Sequence, residues 1–385
     1  MSHRIDDRRS LYRSVSAWLL LSLVTLWPAM AQAQTPPIPS FAVQFWDVPG
    51  RTGAISLSQM NRFGEIVGSY YDGADRKRTF LYAPSISVTT AIDLENLCTG
   101  GGIPAGWTFD FALDINDQGI ILGNLVPVDP TVIEPITGLR PERGFMIDSQ
   151  AASPSVVLLP EFEGIPKYRP LRLNESGDIV ARYWVAGGST GVFFYNPLLH
   201  DEPILLDVDA ATVELGERVN GVAMVGGQAN PRGTTAYRSF PELGITTYVP
   251  NLTNVWWIYG MNDQGNFCGG YNAGPLSMRI IGDQLQPLSP TRTGAWSINN
   301  SNDVMLGGGY LFRDDRGTIN LTSYLSGAKA DITRWKSATT IMTTELGERD
   351  ATTKYGRMAG YLAFYVNGVW QKTQPFSLTP VAKRR

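Results

Sequence analysis

The sequence predicts an all-β protein, a β-propeller of about seven four-stranded blades, with six blades as the alternative. The first observation is a short phrase that returns along the chain: an apolar residue, Asn, two residues, Gly and an apolar pair. The second is an aromatic-rich segment after each copy, and the third is the lack of a long helical period. A unit repeated every ~20–50 residues is typical of solenoids, propellers and arrays.

The repeated phrase predicts a β-hairpin with a type I turn. Asn at the first turn position can bond its side chain to the backbone ahead, and Gly at the fourth position tolerates positive φ. Apolar residues on both sides predict the paired strands. The four copies that keep both residues are Asn61/Gly64, Asn116/Gly119, Asn174/Gly177 and Asn262/Gly265.

Three weaker copies extend the series. Asn220 is interpreted as the fourth turn, with Ala223 in the Gly position. Asn299 has Asn302 in that position, and Asn is the next most tolerant residue of left-handed backbone. A seventh copy is placed near Trp335-Lys336, without a Gly.

Each unit is predicted to hold four strands: one into the turn, one out of it, an aromatic strand and a closing strand. In the first unit the last two are Arg78–Tyr82 and Ile92–Leu94. The segment Phe45–Val48 resembles a closing strand but precedes the first full unit. An N-terminal strand is therefore expected to pair with the last blade, which closes the ring and removes two exposed sheet edges.

The first 33 residues are predicted to be a signal peptide. A basic start is followed by the apolar stretch Val15–Trp27 and the small-x-small site Ala31–Ala33. The apolar stretch is short for a membrane span, so an uncleaved anchor is the lesser alternative. The pair Arg8-Arg9 leaves open a twin-arginine route beside general secretion. We expect an exported protein, periplasmic or extracellular, with no membrane span after cleavage.

The rest of the chain is divided into a Pro-rich lead-in (34–40), one propeller domain (41–380) and a basic tail (381–385). Without the leader there are 28 basic and 33 acidic residues and no long basic block, which argues against nucleic acid as a partner. Cys98 and Cys268 occupy different places in the repeat. Export permits a disulfide between them, but two unpaired thiols and a monomeric protein are expected.

Two long segments, Leu97–Trp107 and Val126–Glu142, are predicted to be surface loops, where binding tends to reside. Trp256 and Trp257 are neighbours in a strand and should face opposite ways. Together with other aromatic residues they could form a platform that stacks on sugars, and the alternative is packing between blades. The candidate binding residues are Tyr70, Tyr71, Trp184, Trp256, Trp257 and Trp296.

Few residues suggest catalysis. His200 is the one histidine beyond the leader, which excludes a multi-histidine zinc site. A glycoside hydrolase needs only two carboxylates, but Asp110, Asp114 and Glu161 cannot be told apart from ordinary turn acids. No cation loop with a sufficient ligand count is present, so no metal and no cofactor are expected.

The turn phrase, the Arg-x-Phe-Leu-aromatic strand and the closing Asp-Leu resemble the HAF repeats of predicted extracellular bacterial proteins. The resemblance is clearest at Asn61–Tyr82 and Asn116–Ile147 and covers roughly residues 50–328. The His that gives the family phrase its name is absent from every copy. The resemblance implies an exported β-repeat protein and supplies no catalytic residues.

The leading functional hypothesis is a non-catalytic scaffold that binds a protein or a glycan on one face. The alternative is a carbohydrate-active hydrolase or lyase that uses carboxylates near the propeller axis, and a third is a fold maintained as part of an envelope assembly. Two or more acids with raised pKa values at the axis would favour the enzyme. A wide aromatic or apolar surface without such a cluster would favour the binding module.

Overall fold

The strands group into seven sheets arranged in a ring, so the computed structural model is a seven-bladed β-propeller. It describes residues 37–185, 190–229, 235–249, 255–271, 276–289, 294–338, 340–367 and 369–381. Pro39–Arg385 forms one compact unit. The predicted signal peptide and residues 382–385 of the basic tail lie outside the described residues. In the described part, no helix is long and apolar enough to cross a membrane.

The first three blades each contain four antiparallel strands in chain order, with the first strand nearest the ring axis. Blade 1 comprises β2 (Arg51–Met60), β3 (Ile66–Asp72), β4 (Lys77–Tyr82) and β5 (Ile92–Asp93). Blade 2 comprises β6 (Trp107–Ile115), β7 (Ile120–Pro127), β8 (Arg143–Asp148) and β9 (Val157–Leu158). Blade 3 comprises β10 (Lys167–Leu173), β11 (Ile179–Trp184), β12 (Thr190–Tyr195) and β13 (Ile204–Leu206).

The next three blades keep the same order. Blade 4 comprises β14 (Glu214–Leu215), β15 (Val225–Gln228), β16 (Ala236–Phe240) and β17 (Ile245–Val249). Blade 5 comprises β18 (Val255–Met261), β19 (Phe267–Tyr271), β20 (Leu276–Ile281) and β21 (Gln284–Ser289). Blade 6 comprises β22 (Ala295–Ile298), β23 (Val304–Leu306), β24 (Tyr310–Arg313) and β25 (Gly317–Asn320).

Blade 7 closes the ring with a strand from the other end of the chain. Its sheet contains β27 (Thr340–Leu346), β28 (Met358–Val366), β29 (Val369–Val381), the N-terminal β1 (Ser40–Phe45) and the short β26 (Leu325–Ser326). Strand β1 is antiparallel to β29 from Ser40 opposite Val381 to Phe45 opposite Phe376. The predicted closure is confirmed, although the closing strand ends at Phe45 and does not include the following residues. Asp47 instead pairs with Thr90 beside blade 1.

In the described part of the chain, two short helices interrupt the strands: α1 (Leu94–Leu97) and α2 (Lys329–Ser337). Helix α2 is anchored by Trp335, which is buried and donates its indole N–H to Thr322 Oγ1 at 3.0 Å. The seventh turn placed near Trp335-Lys336 is therefore wrong, because these residues are helical. The residues that the structure describes also contain two 3-10 segments, Pro241–Leu243 and Leu321–Tyr324.

The repeated Asn and Gly form the predicted turns. In blade 2, Asn116 Oδ1 accepts the N–H of Ile120 at 2.9 Å, and the Gly119 N–H donates to the Asn116 carbonyl at 3.0 Å. Gly119 has a φ of +76°, which a side chain would strain. The fourth turn position has positive φ at Gly64, Gly119, Gly177, Gly265 and Asn302, as the sequence predicts.

Each turn Asn also joins its blade to the next one, a role that the sequence did not reveal. Asn61 Nδ2 donates to the Asn116 carbonyl at 3.0 Å, and Asn116 Nδ2 donates to the Asn174 carbonyl at 3.3 Å. Asn262 and Asn299 continue the pattern, the first donating to the carbonyl of the second at 3.0 Å. We call these bonds the asparagine ladder. Its members are buried, so their side-chain amides cannot bond to water and need hydrogen-bond partners within the protein, which the ladder provides.

The asparagine ladder shows that the fourth and seventh copies of the repeat phrase were predicted at the wrong residues. Asn174 Nδ2 donates to the Gly216 carbonyl at 3.1 Å, and Asn299 Nδ2 donates to the Gly347 carbonyl at 3.3 Å. Gly216 and Gly347 therefore hold the repeat position in blades 4 and 7. Asn220 does not, because it has a φ of +53° in a separate tight turn, between Val219 and Val222.

The two long loops meet on the face opposite these turns. The Val128 N–H, in the Val126–Glu142 segment, donates to the Gly106 carbonyl at 2.8 Å. We call this side of the ring the loop face and the side with the asparagine ladder the turn face. Cys98 and Cys268 are both buried and unpaired, which confirms the expectation of two free thiols.

Candidate functional site

A cavity of about 320 Å³ lies on the ring axis at the turn face. All seven innermost strands contribute to its wall, so it is the mouth of the central channel. Its lining contains eight carboxylates and two guanidinium groups. The carboxylates are Asp114, Asp117, Glu175, Glu214, Glu217, Asp263, Glu345 and Glu348, and the guanidinium groups are Arg62 and Arg172.

The rim of this cavity is formed by the residue that follows each repeat position. These seven residues, which we call the outer ring, are Arg62, Asp117, Glu175, Glu217, Asp263, Asn300 and Glu348. The side chain of each member after Arg62 accepts the backbone N–H of the preceding member: for example, the Glu175 N–H donates to Glu217 at 2.7 Å. Five of the seven side chains are acidic. The backbone thus holds a circle of negative charge in place at the channel mouth.

The outer ring is crowded enough to change its own protonation. The pKa of Glu175 is raised to about 7, and so is the pKa of Glu217. Partial burial is the largest cause for both, and neighbouring acids such as Asp117 and Asp263 add to it. Burial also raises the pKa of Glu348. Bonds from backbone N–H groups act in the opposite direction but do not outweigh burial.

Deeper in the channel lies a second group, the axial cluster of Asp114, Arg172, Glu214 and Glu345. Arg172 binds Glu214 through two contacts of 2.8 and 3.1 Å. Asp114 accepts two backbone N–H groups, one of them from Leu173 in the next blade at 2.8 Å. Within the described chain, neither Asp114 nor Glu345 has a salt bridge. One arginine therefore faces three carboxylates.

Burial, together with this excess of acids, raises the pKa values of the carboxyl groups in the axial cluster. The pKa of Glu345 is raised to about 8: burial is the largest cause, Arg172 opposes it, and the nearby Asp114 and Glu214 contribute to the increase. Burial likewise raises the pKa of Asp114 to about 6, and it raises that of Glu214 despite its paired Arg172. Near neutral pH, Glu345 therefore retains its proton.

β-Bulges place these side chains at the axis. The pairing of the innermost strands shifts between Ala112 and Asp114 in blade 2 and between Thr343 and Glu345 in blade 7, so that one residue is left unpaired in each. Bulges of this kind re-aim side chains. The partner strand must allow the close approach: a Cβ at Gly269 would lie 1.9 Å from the Trp257 carbonyl oxygen. This explains the second Gly of the repeat phrase.

Two aromatic rings line the same cavity, Tyr259 and Trp296. Their centroids are 4.5 Å apart, and the Trp257 ring lies 6.0 Å from that of Tyr259. Trp257 and Trp296 were expected on the aromatic platform, and Tyr259 was not. The side chain of Trp256 lies outside the described residues.

The other aromatic candidates are on separate blades. Tyr70 is only 3% exposed and donates its hydroxyl to Asp93 at 2.5 Å, so its ring is unavailable to a ligand. Tyr71, on the opposite side of the same strand, is 42% exposed. Trp184 in blade 3 carries the ammonium of Lys167 over its ring at 4.9 Å. These residues do not form one platform with Trp296.

Of the candidate carboxylates, only Asp114 lies in the axial cavity. Asp110 binds Lys77 at 3.3 Å, and Glu161 binds Arg143 at 3.0 Å. His200 lies 3.8 Å from Glu242, away from the cavity lining. Over the described residues, no group of His, Cys, Asp and Glu side chains has the arrangement of a metal site.

The cavity can act chemically in two ways. Its excess of carboxylates can hold a cationic group, and charge in a narrow opening attracts such a ligand from a distance. Alternatively, Asp114 and Glu345 are two acids with different raised pKa values, which is the arrangement used for general acid and base catalysis. A cluster of axial acids with raised pKa values is the feature expected of an enzyme. The described residues do not form the wide aromatic surface expected of a glycan-binding module.

No family model matches this sequence, and no curated protein does. Among solved structures, the chain is similar to a sialidase of Trypanosoma rangeli, with 11% identity over 89% of this chain and 55% of that one, and a TM-score of 0.41. It is similar to a puromycin hydrolase, with 13% identity over 81% of this chain and 50% of that one, and a TM-score of 0.45. A third similar structure is an ulvan lyase, with 10% identity over 90% of this chain and 96% of that one, and a TM-score of 0.40.

The chain therefore spans about half the length of the first two of these proteins.

Proposed function

We propose that the protein is an exported, non-catalytic binding module that holds an organic cation in the axial cavity. The observation that carries the proposal is the count of eight carboxylates against two guanidinium groups in about 320 Å³. Fully ionised, that lining would carry a formal charge of −6. The pKa values of Asp114, Glu175 and Glu345 are raised, mainly by burial, and neighbouring acids add to the effect.

The arrangement favours a ligand with more than one positive charge. The outer ring and the axial cluster place carboxylates at two levels, the deeper one on an innermost strand and the outer one three residues later in the turn that follows it, as in Asp114/Asp117 and Glu345/Glu348. A linear polyamine can contact both levels at once. Tyr259 and Trp296 add two ring faces to the wall, which attract cations as well.

Export is part of the proposal because of the leader-like first 33 residues and the resemblance to HAF repeats. The proposed ligand class differs from the glycan or protein partner expected from the sequence. A protein ligand also fits this proposal if one of its segments presents lysine or arginine side chains to the channel.

The test is calorimetric titration with spermidine at pH 7.5 and low ionic strength. We expect binding that weakens as salt is added, since exposed charge pairs are screened. Glu345→Gln should weaken binding about tenfold or more, whereas Glu161→Gln, a change at a carboxylate that is 83% exposed and outside the cavity, should have no effect. A lack of heat and of thermal stabilisation at millimolar spermidine would refute the proposal.

Protonation supplies a second readout. Because the pKa of Glu345 is about 8, a cation bound beside it should displace its proton. Titrations in buffers with different ionisation enthalpies should show proton release at pH 7 in the unmodified protein. The release should be smaller in Glu345→Gln.

The second candidate function is a carboxylate-based hydrolase or lyase. The raised pKa values of Asp114 and Glu345 within one cavity favour it, as does the size of the cavity, which suits a small ligand. A panel of chromogenic glycosides separates the two functions. Turnover that Asp114→Asn and Glu345→Gln abolish, and Glu161→Gln does not, would replace the binding proposal with the enzyme.

A further inference from the structure

The hairpin formed by β28 and β29 extends beyond the rest of blade 7. The pairing of β27 with β28 stops at Thr340 opposite Ala363. Strands β28 and β29 continue together to Tyr365 opposite Trp370 and Val366 opposite Val369. Among the described residues no third strand pairs with the hairpin beyond this point, so its tip projects from the loop face.

The tip of this hairpin is apolar and exposed. Val366 and Val369 are 58% and 62% exposed, and the rings of Tyr365 and Trp370 are exposed beside them. Isolated exposed apolar residues are ordinary, but here four occupy adjacent positions of one hairpin, the pair Tyr365 and Trp370 on one face of the tip and the pair Val366 and Val369 on the other. An exposed apolar tip of this kind is typical of a surface that binds a protein partner or a membrane.

Basic residues surround the base of the tip. An open cleft of about 710 Å³ separates helix α2 from the hairpin, and Lys329, Arg334 and Lys372 line it without any acidic residue. Lys336 is also exposed on α2. In the described chain, none of these four cations forms a salt bridge, although most other lysines and arginines there do. Asp331 is the one acid on the helix.

We propose that this surface, the hairpin patch of Lys329, Arg334, Lys336, Tyr365, Val366, Val369, Trp370 and Lys372, docks on an anionic lipid surface. Valine at the tip would enter the acyl boundary, and Tyr365 and Trp370 would lie at the headgroup level, where such rings are enriched. The four cations would meet the anionic headgroups. Each cation near such a surface contributes about fivefold in binding.

The combination of the two features favours lipid over a protein partner. A basic cleft alone would suit any anion, and an apolar tip alone would suit any apolar groove. The insertion in blade 2 provides the contrast. It also exposes apolar residues, among them Ile136, but its charged residues are three acids and one arginine: Asp129, Glu134, Glu142 and Arg140. Of these two surfaces, the hairpin patch is the one that joins an apolar tip with an excess of positive charge.

The test is sedimentation with vesicles of phosphatidylcholine containing 30% phosphatidylglycerol or none. The protein is expressed from its full-length sequence, and mass spectrometry establishes a common N-terminus for all variants, so that any leader contributes equally. We expect binding to the anionic vesicles only. The double change Val369→Ser with Trp370→Ser, and the double change Lys329→Gln with Lys372→Gln, should each reduce binding at least tenfold.

The matched controls are Ile136→Ser, an exposed apolar residue of the blade 2 insertion, and Lys354→Gln, an exposed lysine outside the patch. Both should bind as the unmodified protein does. Binding that all variants share, or no binding to anionic vesicles, would overturn the proposal. Concentration-dependent dimerisation that Trp370→Ser abolishes, without vesicle binding, would show that a second copy of the chain covers the patch.

Discussion

Replacing Glu345 with Gln should stabilise the protein at neutral pH. The carboxyl group has an ordinary pKa of 4.5 and a pKa of about 8 in the fold. Between these values the folded protein keeps a proton that the unfolded chain has released, so stability falls as pH rises. From the ordinary pKa of 4.5 to pH 7 is about 2.5 pH units, which corresponds to a loss of about 3 kcal/mol in the free energy of unfolding. Gln keeps the shape of the protonated acid and has no charge to bury.

The assay is urea unfolding of both proteins at pH 4.5 to 8.5. The free energy of unfolding of the variant should equal that of the unmodified protein near pH 4.5 and exceed it by about 3 kcal/mol at pH 7. The reason is that the unmodified protein, which carries the ionisable Glu345, loses stability over that interval, whereas Gln does not titrate. Glu161→Gln serves as the control and should show no pH-dependent gain. A Glu345→Gln variant that is less stable at pH 7, or a difference that does not change with pH, would refute the reasoning.

Three further predictions concern the scaffold. Gly269→Ala should cost about 3 kcal/mol in unfolding free energy, because the new Cβ meets a backbone oxygen at 1.9 Å, whereas Gly270→Ala, with no contact closer than 4.0 Å, should change it by under about 1 kcal/mol. Asn116→Ala should cost about 2 kcal/mol because it removes a buried member of the asparagine ladder, and Asn220→Gly should be nearly neutral by the same urea assay. The Cys268 thiol, whose pKa burial raises well above its usual value, should react with Ellman's reagent only after unfolding. Rapid reaction in the folded protein would contradict this burial.

The sequence predicted the fold well because the fold depends on local turn chemistry. Asn61 with Gly64, and their later copies, identify hairpins through side-chain bonds that span only a few residues. The same phrase placed the fourth copy wrongly at Asn220, since Val219-Asn220 matches the apolar-Asn start of the phrase, with Ala223 in the Gly position. A better signal was present: Glu-Leu-Gly-Glu-Arg occurs at Glu214–Arg218 and again at Glu345–Arg349. Both stretches hold the repeat position with Gly.

The candidate site was harder to predict, because it depends on which side chains face the axis. Asp114 and Glu345 face it through bulges, which shift the alternation of an ordinary strand. An acid at the second position before the repeat residue, together with one directly after it, was a usable signal in blades 2, 4 and 7. The aromatic candidates failed to combine for a related reason: Tyr70 and Trp184 lie on second strands, which do not line the channel.

A crystal structure of the protein grown with saturating spermidine would test the central claim most directly. We expect elongated density along the channel axis, with its amino groups beside Glu345 and the acids of the outer ring. An unchanged cavity at a concentration where the calorimeter reports binding, or spermidine bound only elsewhere, would contradict the claim that the axial carboxylates form the binding site.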